Sequence, residues 1–388
     1  MSSIIEKDKQ FVANTYARFP VEIAYGKGSY LYSPDGKKYI DMGSGIGVTA
    51  FGICDDEWKN AVISQLDKVQ HTSNLYYTSP CADLAELLCN KTGMKKVFFS
   101  NSGAESNECA IKVARQYGIE KKGADYTTII TLKNSFHGRT LATLSATGQD
   151  VFHAKFLPMP SGFVYGTAND IESIKTLVKE NKVCGILIEC VQGEGGVIAL
   201  DKDFVQGIEK ICKENDIIFM VDEVQTGNGR TGELYAYMNY GVKPDVITTA
   251  KGLGGGLPIG CCMMSEKTEK VLGFGDHGST YGGNPICASG AISVISRLDE
   301  KFFSEVKAKS KYVFDELNGA KGIESVSGMG LMVGIKTIKN AKEVVNECIE
   351  RGVICLTAKD KVRLLPALNI PQKDLEFAIQ TIKDVCAE

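Results

Sequence analysis

The sequence predicts an α/β protein in which a large domain built on a mainly parallel sheet is followed by a smaller α+β domain. Three observations predict it. Six short runs, at 96–100, 128–132, 184–191, 217–221, 246–249 and 259–264, are near-continuously apolar, as strands buried on both faces require. Most are separated by a stretch long enough for a crossover helix. The chain is also long: at roughly 150 residues per domain, 388 residues suggest two to three lobes.

In order along the chain, residues 1–50 read as an arm plus part of the small domain. Within them Tyr30-Leu31-Tyr32 and Tyr39-Ile40-Asp41 flank Pro34-Asp35-Gly36, whose residue types favour a hairpin turn. After the glycine-rich 43–52 segment, helical patterns occupy about 56–69 and 81–92, and the alternating runs define a large domain over 51–290. A long helical region, 284–318, leads into the small domain at 291–388, with strands near 331–336, 353–356 and 362–364 and helices near 340–351 and 372–386.

Composition narrows the function classes. Hydrophobic residues at 44% and charged residues at 23% are ordinary for a globular chain. Interspersed charges summing to -3 argue against nucleic acid as a partner. The opening MSSIIEKDKQ lacks a basic flank and apolar stretch, and no run reaches the ~18 apolar residues of a spanning helix. The expectation is a cytoplasmic protein without a membrane partner. Thirteen scattered cysteines without C-x-x-C read as reduced core residues, and the four histidines lie far apart, so no metal is expected.

Ligands of open α/β sheets bind beyond the carboxyl ends of the strands, which singles out four strand ends. In Asn101-Ser102-Gly103-Ala104-Glu105, Ser102 and Glu105 fit a capping box. A helix beginning at Gly103 has no side chain over its first amides and suits an anion such as phosphate, although a plain capped helix would read the same. The 217–221 run ends in Asp222-Glu223-Val224-Gln225. Extended backbone turns Asp222 and Val224 to one side and Glu223 to the other, and a buried Asp222 requires a cationic partner, which a structural salt bridge would equally supply. Lys251 follows a strand inside an otherwise uncharged, glycine-rich segment. Loss of water there would favour the neutral amine that bonding to a carbonyl needs; the alternative is a lysine reaching solvent. Finally, Phe136-His137-Gly138-Arg139 offers an aromatic face and, if buried, a guanidinium suited to gripping a carboxylate. Phe136 as core, His137 as a satisfied imidazole and Arg139 as a surface cation remain the alternatives.

The four together describe one cofactor. Pyridoxal 5′-phosphate needs an anion cradle, a lysine, a carboxylate at the ring nitrogen and apolar groups on both ring faces. Gly103 and Ala104, Lys251, Asp222, and Phe136 with Val224 supply them. G-x-x-x-x-G-K-[ST] does not occur.

The sequence resembles the class III aminotransferases over nearly its whole length, from Tyr16-Ala17-Arg18-Phe19-Pro20-Val21 to Val362-Arg363-Leu364-Leu365-Pro366. The motifs are NSGAESNE (101–108), SFHGRT (135–140), VQGEGG (191–196), DEVQTGNGRTG (222–232), TAKGLGGGLPIG (249–260) and HGSTYGGNP (277–285). The resemblance implies a fold-type I transferase, a homodimer with shared active sites, and covalent attachment of the cofactor to Lys251. It further implies Gln225 beside the ring hydroxyl and Thr280 reaching the phosphate from the partner chain. It implies transfer of a terminal amine, such as the δ-amine of N2-acetylornithine, to 2-oxoglutarate by ping-pong turnover in arginine biosynthesis. Arg139 would hold the carboxylate far from the reacting amine and Arg363 the α-carboxylate of glutamate. Glu194 would neutralise Arg363 while the amine donor is bound, and Ser279 and Tyr16 would touch substrate. Ile46 and Val48 stand where an acyl group needs room. Succinylornithine, ornithine, 4-aminobutyrate and carrier-bound lysine are the rival donors; a racemase, a decarboxylase and a silent scaffold are the distant rivals. Three segments depart from the family pattern: Glu189-Cys190-Val191 replaces Glu-Pro-Val, Pro366-Ala367 replaces Pro-Pro, and Gly52-Ile53-Cys54-Asp55-Asp56 lacks Gly-His-x-His-Pro.

Overall fold

The computed structural model describes residues 3–388. A seven-stranded sheet organises the large domain in the order Lys96–Ser100, Gly260–Met264, Val246–Thr249, Ile218–Asp222, Val183–Ile188, Thr128–Leu132, Phe163–Gly166. Gly260–Met264 runs antiparallel to both of its neighbours, and the other pairings are parallel. Every residue of Val183–Ile188, Ile218–Asp222, Val246–Thr249 and Gly260–Met264 is buried, which is why these runs carry no polar alternation.

Alternate residues of one strand enter opposite layers. Leu187, Ile218 and Met220 pack with Ala110, Val113 and Ala114 of the Gly103–Lys122 helix. Ile186, Ile188, Phe219 and Val221 pack with Phe204, Val205 and Ile208 of the Lys202–Glu214 helix. The two helices therefore cover the two faces. Because the central strands are parallel, their carboxyl ends lie on one edge, and the loops after them share it.

The small sheets place the remaining parts. Ile323–Met329, Met332–Thr337, Lys361–Leu364 and Leu356–Ala358 form one antiparallel sheet. In another, the strands Tyr25–Lys27, Tyr30–Tyr32 and Lys38–Asp41 are joined by Val353–Ile354, which pairs in parallel with Ile40 and Asp41. Main-chain pairing thus ties the amino-terminal hairpin to the carboxyl-terminal region.

Several elements differ from the expectation. The 284–318 region is two helices, Pro285–Ser296 and Glu300–Leu317. Asp299 restarts the second by accepting a hydrogen bond from the Phe302 amide at 2.8 Å. The 184–191 run divides into Val183–Ile188 and Val191–Gln192. Phe163–Gly166 was not anticipated, because its apolar run, Phe163-Val164-Tyr165, is short and this edge strand is largely half-buried. Ile323–Met329 was missed too, since ESVSG within it reads as polar. Among the described residues no helix is long and apolar enough to cross a membrane, and no group of three or more His, Cys, Asp or Glu is placed to hold a metal ion.

Candidate active site

The strand-end loops enclose a cavity of about 470 Å³. Asp222 closes the Ile218–Asp222 strand, and with Val224 it faces the cavity, whereas Glu223 turns away as the alternation required. The two carboxylates meet different fates. Glu223 is fully buried and accepts hydrogen bonds from the Thr226 hydroxyl and from the Ala236 and Tyr237 amides at 2.5, 2.9 and 2.8 Å. Burial still pushes its pKa up to about 7. Asp222 accepts from Asn107 Nδ2 at 2.7 Å and the Val224 amide at 3.0 Å, and it lies 2.8 Å from His137 Nδ1. The partner demanded by a buried acid is therefore an imidazole and an amide rather than a lysine or arginine. Asn107 escaped the sequence reading: its amide also donates to the His137 carbonyl, and its oxygen accepts from Thr248 Oγ1 at 2.6 Å. Its signal was helical spacing, one turn beyond Gly103.

Lys251 follows Val246–Thr249 and opens a short 3-10 turn, Lys251–Gly254, with φ of +45°. A lysine in the left-handed region is held there by its surroundings. Asn228 Nδ2 supplies part of that hold by donating to the Ala250 carbonyl at 3.1 Å and Thr249 Oγ1 at 3.0 Å. The amine faces the cavity, and burial lowers its pKa, opposed by the nearby Glu194 and Asp222 carboxylates.

Gly103 and Ala104 line the same cavity at the start of the Gly103–Lys122 helix. A Cβ at Gly103 would lie 2.5 Å from Val224 Cγ1, so only glycine lets these two walls meet. Ser102 Oγ accepts from the Glu105 amide at 3.2 Å, but Glu105 Oε2 accepts from Asn101 rather than Ser102, which displaces the second half of the expected capping box by one residue. Phe136 and Arg139 also line the cavity. Arg139 is exposed rather than buried, its guanidinium 4.5 Å from the Phe152 ring centre and 5.5 Å from that of Phe136.

Glu189, another residue the sequence reading passed over, stands in the cavity wall with Oε2 accepting from the Phe136 amide at 2.9 Å and Oε1 from the Gly193 amide at 3.3 Å. It clips the Phe136 loop to the loop bearing Glu194, and burial raises its pKa to about 7. Glu194 Oε1 accepts from Arg363 Nη1 at 2.5 Å. Gln225 joins them, donating to Glu194 Oε1 and accepting from Arg363 Nη1, both at 3.3 Å. Burial alone would raise the Glu194 carboxyl, but the charges and hydrogen bonds of Arg363, Lys251 and Gln225 bring it below its ordinary value.

Three expected substrate or phosphate contacts stand apart. Ser279 and Thr280 line a separate hollow with His277 and Tyr281. The Ser279 hydroxyl is engaged by Asn101 Nδ2 at 3.1 Å and the Gly282 amide at 2.9 Å. Tyr16 is 70% exposed and lies along the amino-terminal arm with Arg18 over its ring. Of the acyl-pocket candidates, Val48 lines the central cavity, while Ile46 is exposed on a neighbouring turn with φ of +66°.

The profile of the family described as aminotransferase class-III matches residues 11–386. The chain belongs to the class-III aminotransferases. It is 46% identical to an acetylornithine aminotransferase from Haemophilus ducreyi over 99% of this chain and 98% of that protein. A succinylornithine transaminase from Yersinia pseudotuberculosis is 40% identical over 97% of this chain and 96% of its own. Among solved structures, the ornithine aminotransferase from Toxoplasma gondii superposes with a TM-score of 0.94 at 27% identity, covering 99% of this chain and 93% of that one. Aminotransferases of this class work with pyridoxal 5′-phosphate and exchange an amino group between small amino and keto acids. The cavity fits that cofactor: it joins a desolvated amine, an anchored carboxylate and the unobstructed amides of a 20-residue helix.

Proposed function

We propose that this class-III aminotransferase moves the δ-amine of N2-acetylornithine to 2-oxoglutarate by a ping-pong sequence, giving N-acetylglutamate 5-semialdehyde and glutamate. The observation that carries the reading is the opening of Lys251, Asp222 and Gln225 into one cavity, with Gln225 hydrogen-bonded behind it to both members of the Glu194–Arg363 pair.

Pyridoxal phosphate, when bound, supplies an electron sink for the carbon that carries the amine. The protein's residues do the rest. Gly103 and Ala104 would receive the phosphate on free amides, and Phe136 and Val224 would flank the ring. Asp222 would keep the ring nitrogen protonated, a charged hydrogen bond worth about 1.5–3 kcal/mol. Its orientation is already fixed by Asn107 and the Val224 amide. Gln225 would reach the ring hydroxyl, and Thr280 the phosphate in the partner's site of a homodimer. Lys251 Nζ, whose charged form burial disfavours, would be the base that takes the proton from the amine-bearing carbon and returns it further along.

Two substrates must share one pocket. While the acylated donor is bound, Glu194 neutralises Arg363, since a lone guanidinium beside an alkyl chain would be costly. When 2-oxoglutarate enters, its α-carboxylate takes Glu194's place on Arg363, while Arg139 at the cavity mouth grips the distal carboxylate. Tyr16 and Ser279 would complete the pocket from outside the central cavity, and Val48 leaves room for the acyl group. The proposed division is an arm and hairpin over 1–50, a cofactor-binding domain over 51–290 and a small domain over 291–388.

A panel of amine donors, read by glutamate formation, tests this. N2-acetylornithine is expected to exceed ornithine and 4-aminobutyrate by tenfold or more in kcat/KM, the order of discrimination one buried apolar group provides. Equal turnover of unacylated ornithine, or amine turnover without 2-oxoglutarate, would overturn the reading.

A further inference from the structure

The chain has a single tryptophan. It does not line the cavity, yet it grips the loop that carries Lys251: Trp58 Nε1 donates to the Gly254 carbonyl at 3.0 Å. We propose that Trp58 is a positioning residue, its indole fixing the carboxyl end of the Lys251–Gly254 turn and so the direction in which Lys251 points. This rests on the reading of Lys251 given above.

Three features support the assignment. The first is how the indole is delivered. Gly52-Ile53-Cys54-Asp55-Asp56 departs from the family's pattern and is rebuilt here as a firmly capped helix start. Asp55 Oδ1 accepts from the Trp58 amide at 2.9 Å and pairs with Arg297 at 2.8 Å. Lys27 binds Asp56 at 2.6 Å and the Cys54 carbonyl at 2.8 Å. The first turn of the Asp56–Leu66 helix is thereby held from two neighbouring segments.

The second is the room made for the ring. A Cβ at Gly255 would lie 2.8 Å from Trp58 Nε1, and one at Gly290 would lie 2.9 Å from the same atom. Gly290 sits inside the Pro285–Ser296 helix, where glycine is intrinsically unfavourable and needs a packing reason. The indole is that reason. It is wedged between this helix and the lysine loop.

The third is the turn's need for an external hold. Lys251 and Gly255 both have left-handed backbone, at φ of +45° and +59°. Asn228 pins the amino end through the Ala250 carbonyl. At the carboxyl end the Gly254 carbonyl accepts the indole N–H and, within the loop, the Leu257 amide at 3.2 Å. Trp58 is thus the side chain that ties this end to another element.

Trp58→Phe keeps most of the ring and removes the N–H. In the cofactor-free protein, the Leu253, Gly255 and Leu257 amides are expected to exchange hydrogen about fivefold faster, the worth of one neutral hydrogen bond. In the loaded enzyme the pH titration of visible absorption is expected to shift by about 0.7 of a unit, following the same equilibrium factor. Glu194, Arg363, Asp222 and Glu189, the charges that face Lys251, are untouched by the substitution. Gly290→Ala, which pushes on the indole from the helix side, should quicken the same amides, with the gain in helix propensity offsetting part of the crowding cost to Tm. If Trp58→Phe lowers Tm but leaves both loop exchange and titration at wild-type values, the tryptophan is only structural and the proposal is wrong. Failure of the Lys251 reading is separately visible as absence of a borohydride-fixed lysine adduct in the wild type, while the exchange measurement needs no cofactor.

Discussion

The central cavity and the Ser279–Thr280 hollow are built from the same chain but differ in completeness. Around the cavity, the loops after four strands bring Gly103, Phe136, Asp222 and Lys251 together, and each is anchored within this subunit. The hollow gathers His277, Ser279, Thr280 and Tyr281 at the surface, with Thr280 exposed and Tyr281 61% exposed. The nearby segment at Leu75, Tyr76 and Tyr77 is exposed to 86%, 70% and 105%. The cavity buries its chemistry, whereas the hollow leaves its hydroxyls at the surface. The reactive groups thus sit at the sheet edge, and Thr280 and Tyr281 face outward.

The comparison breaks most visibly at its reactive end. Lys251→Ala is expected to lose about 10³-fold or more in kcat, since it removes both nucleophile and proton carrier. Peptide mapping after borohydride treatment should then find no modified lysine. If the hollow serves a second subunit, Thr280→Val should weaken cofactor binding by about tenfold, the scale of one charge-assisted hydrogen bond. Mixing that variant with Lys251→Ala chains should restore activity through hybrid dimers with one intact site. No restoration on mixing would dissolve the contrast between the two regions.

Smaller effects probe the buried charges. Glu194→Gln is expected to lower KM for 2-oxoglutarate and raise it for the amine donor, each by about fivefold, because a neutral partner no longer competes for Arg363. Glu194's pKa is lowered in the fold, so its contribution to the ion pair is present above the ordinary carboxylate range and is lost as pH falls through the depressed value. Wild-type KM values in acid should therefore drift toward those of the variant. Glu223 has the opposite sign: its pKa is raised from 4.5 to about 7, so the folded state binds the extra proton in that window and stability falls as pH rises through it. Glu223→Gln should remove up to about 1.4 kcal/mol per pH unit of that slope, measured by denaturant unfolding at several pH values.

Strand ends were the legible part because chemistry and local structure coincide there. A lone lysine in a glycine-rich segment and an acid closing an apolar run are visible without knowing their neighbours. Asn107 and Glu189 were not visible in this way. Asn107 looks like any polar helix residue until the fold sets it beside Asp222, and Glu189 matters because it accepts from Phe136 and Gly193 together. For Arg139 the sequence leaves a surface cation and a buried grip both open, since aromatic neighbours in sequence cannot report whether a guanidinium lies inside or at the rim; the fold places it exposed.

What the sequence alone determined is the α/β architecture, the family and the facing of Asp222 against Glu223, because buried parallel strands, motif order and the two-residue period of an extended chain are local properties. Tertiary structure decided that His137 and Asn107 hold Asp222, that Glu194 closes on Arg363 from 169 residues away, and that Trp58 reaches the lysine loop. Those pairings depend on distances between segments remote in sequence, and only the packed sheet and its layers set such distances.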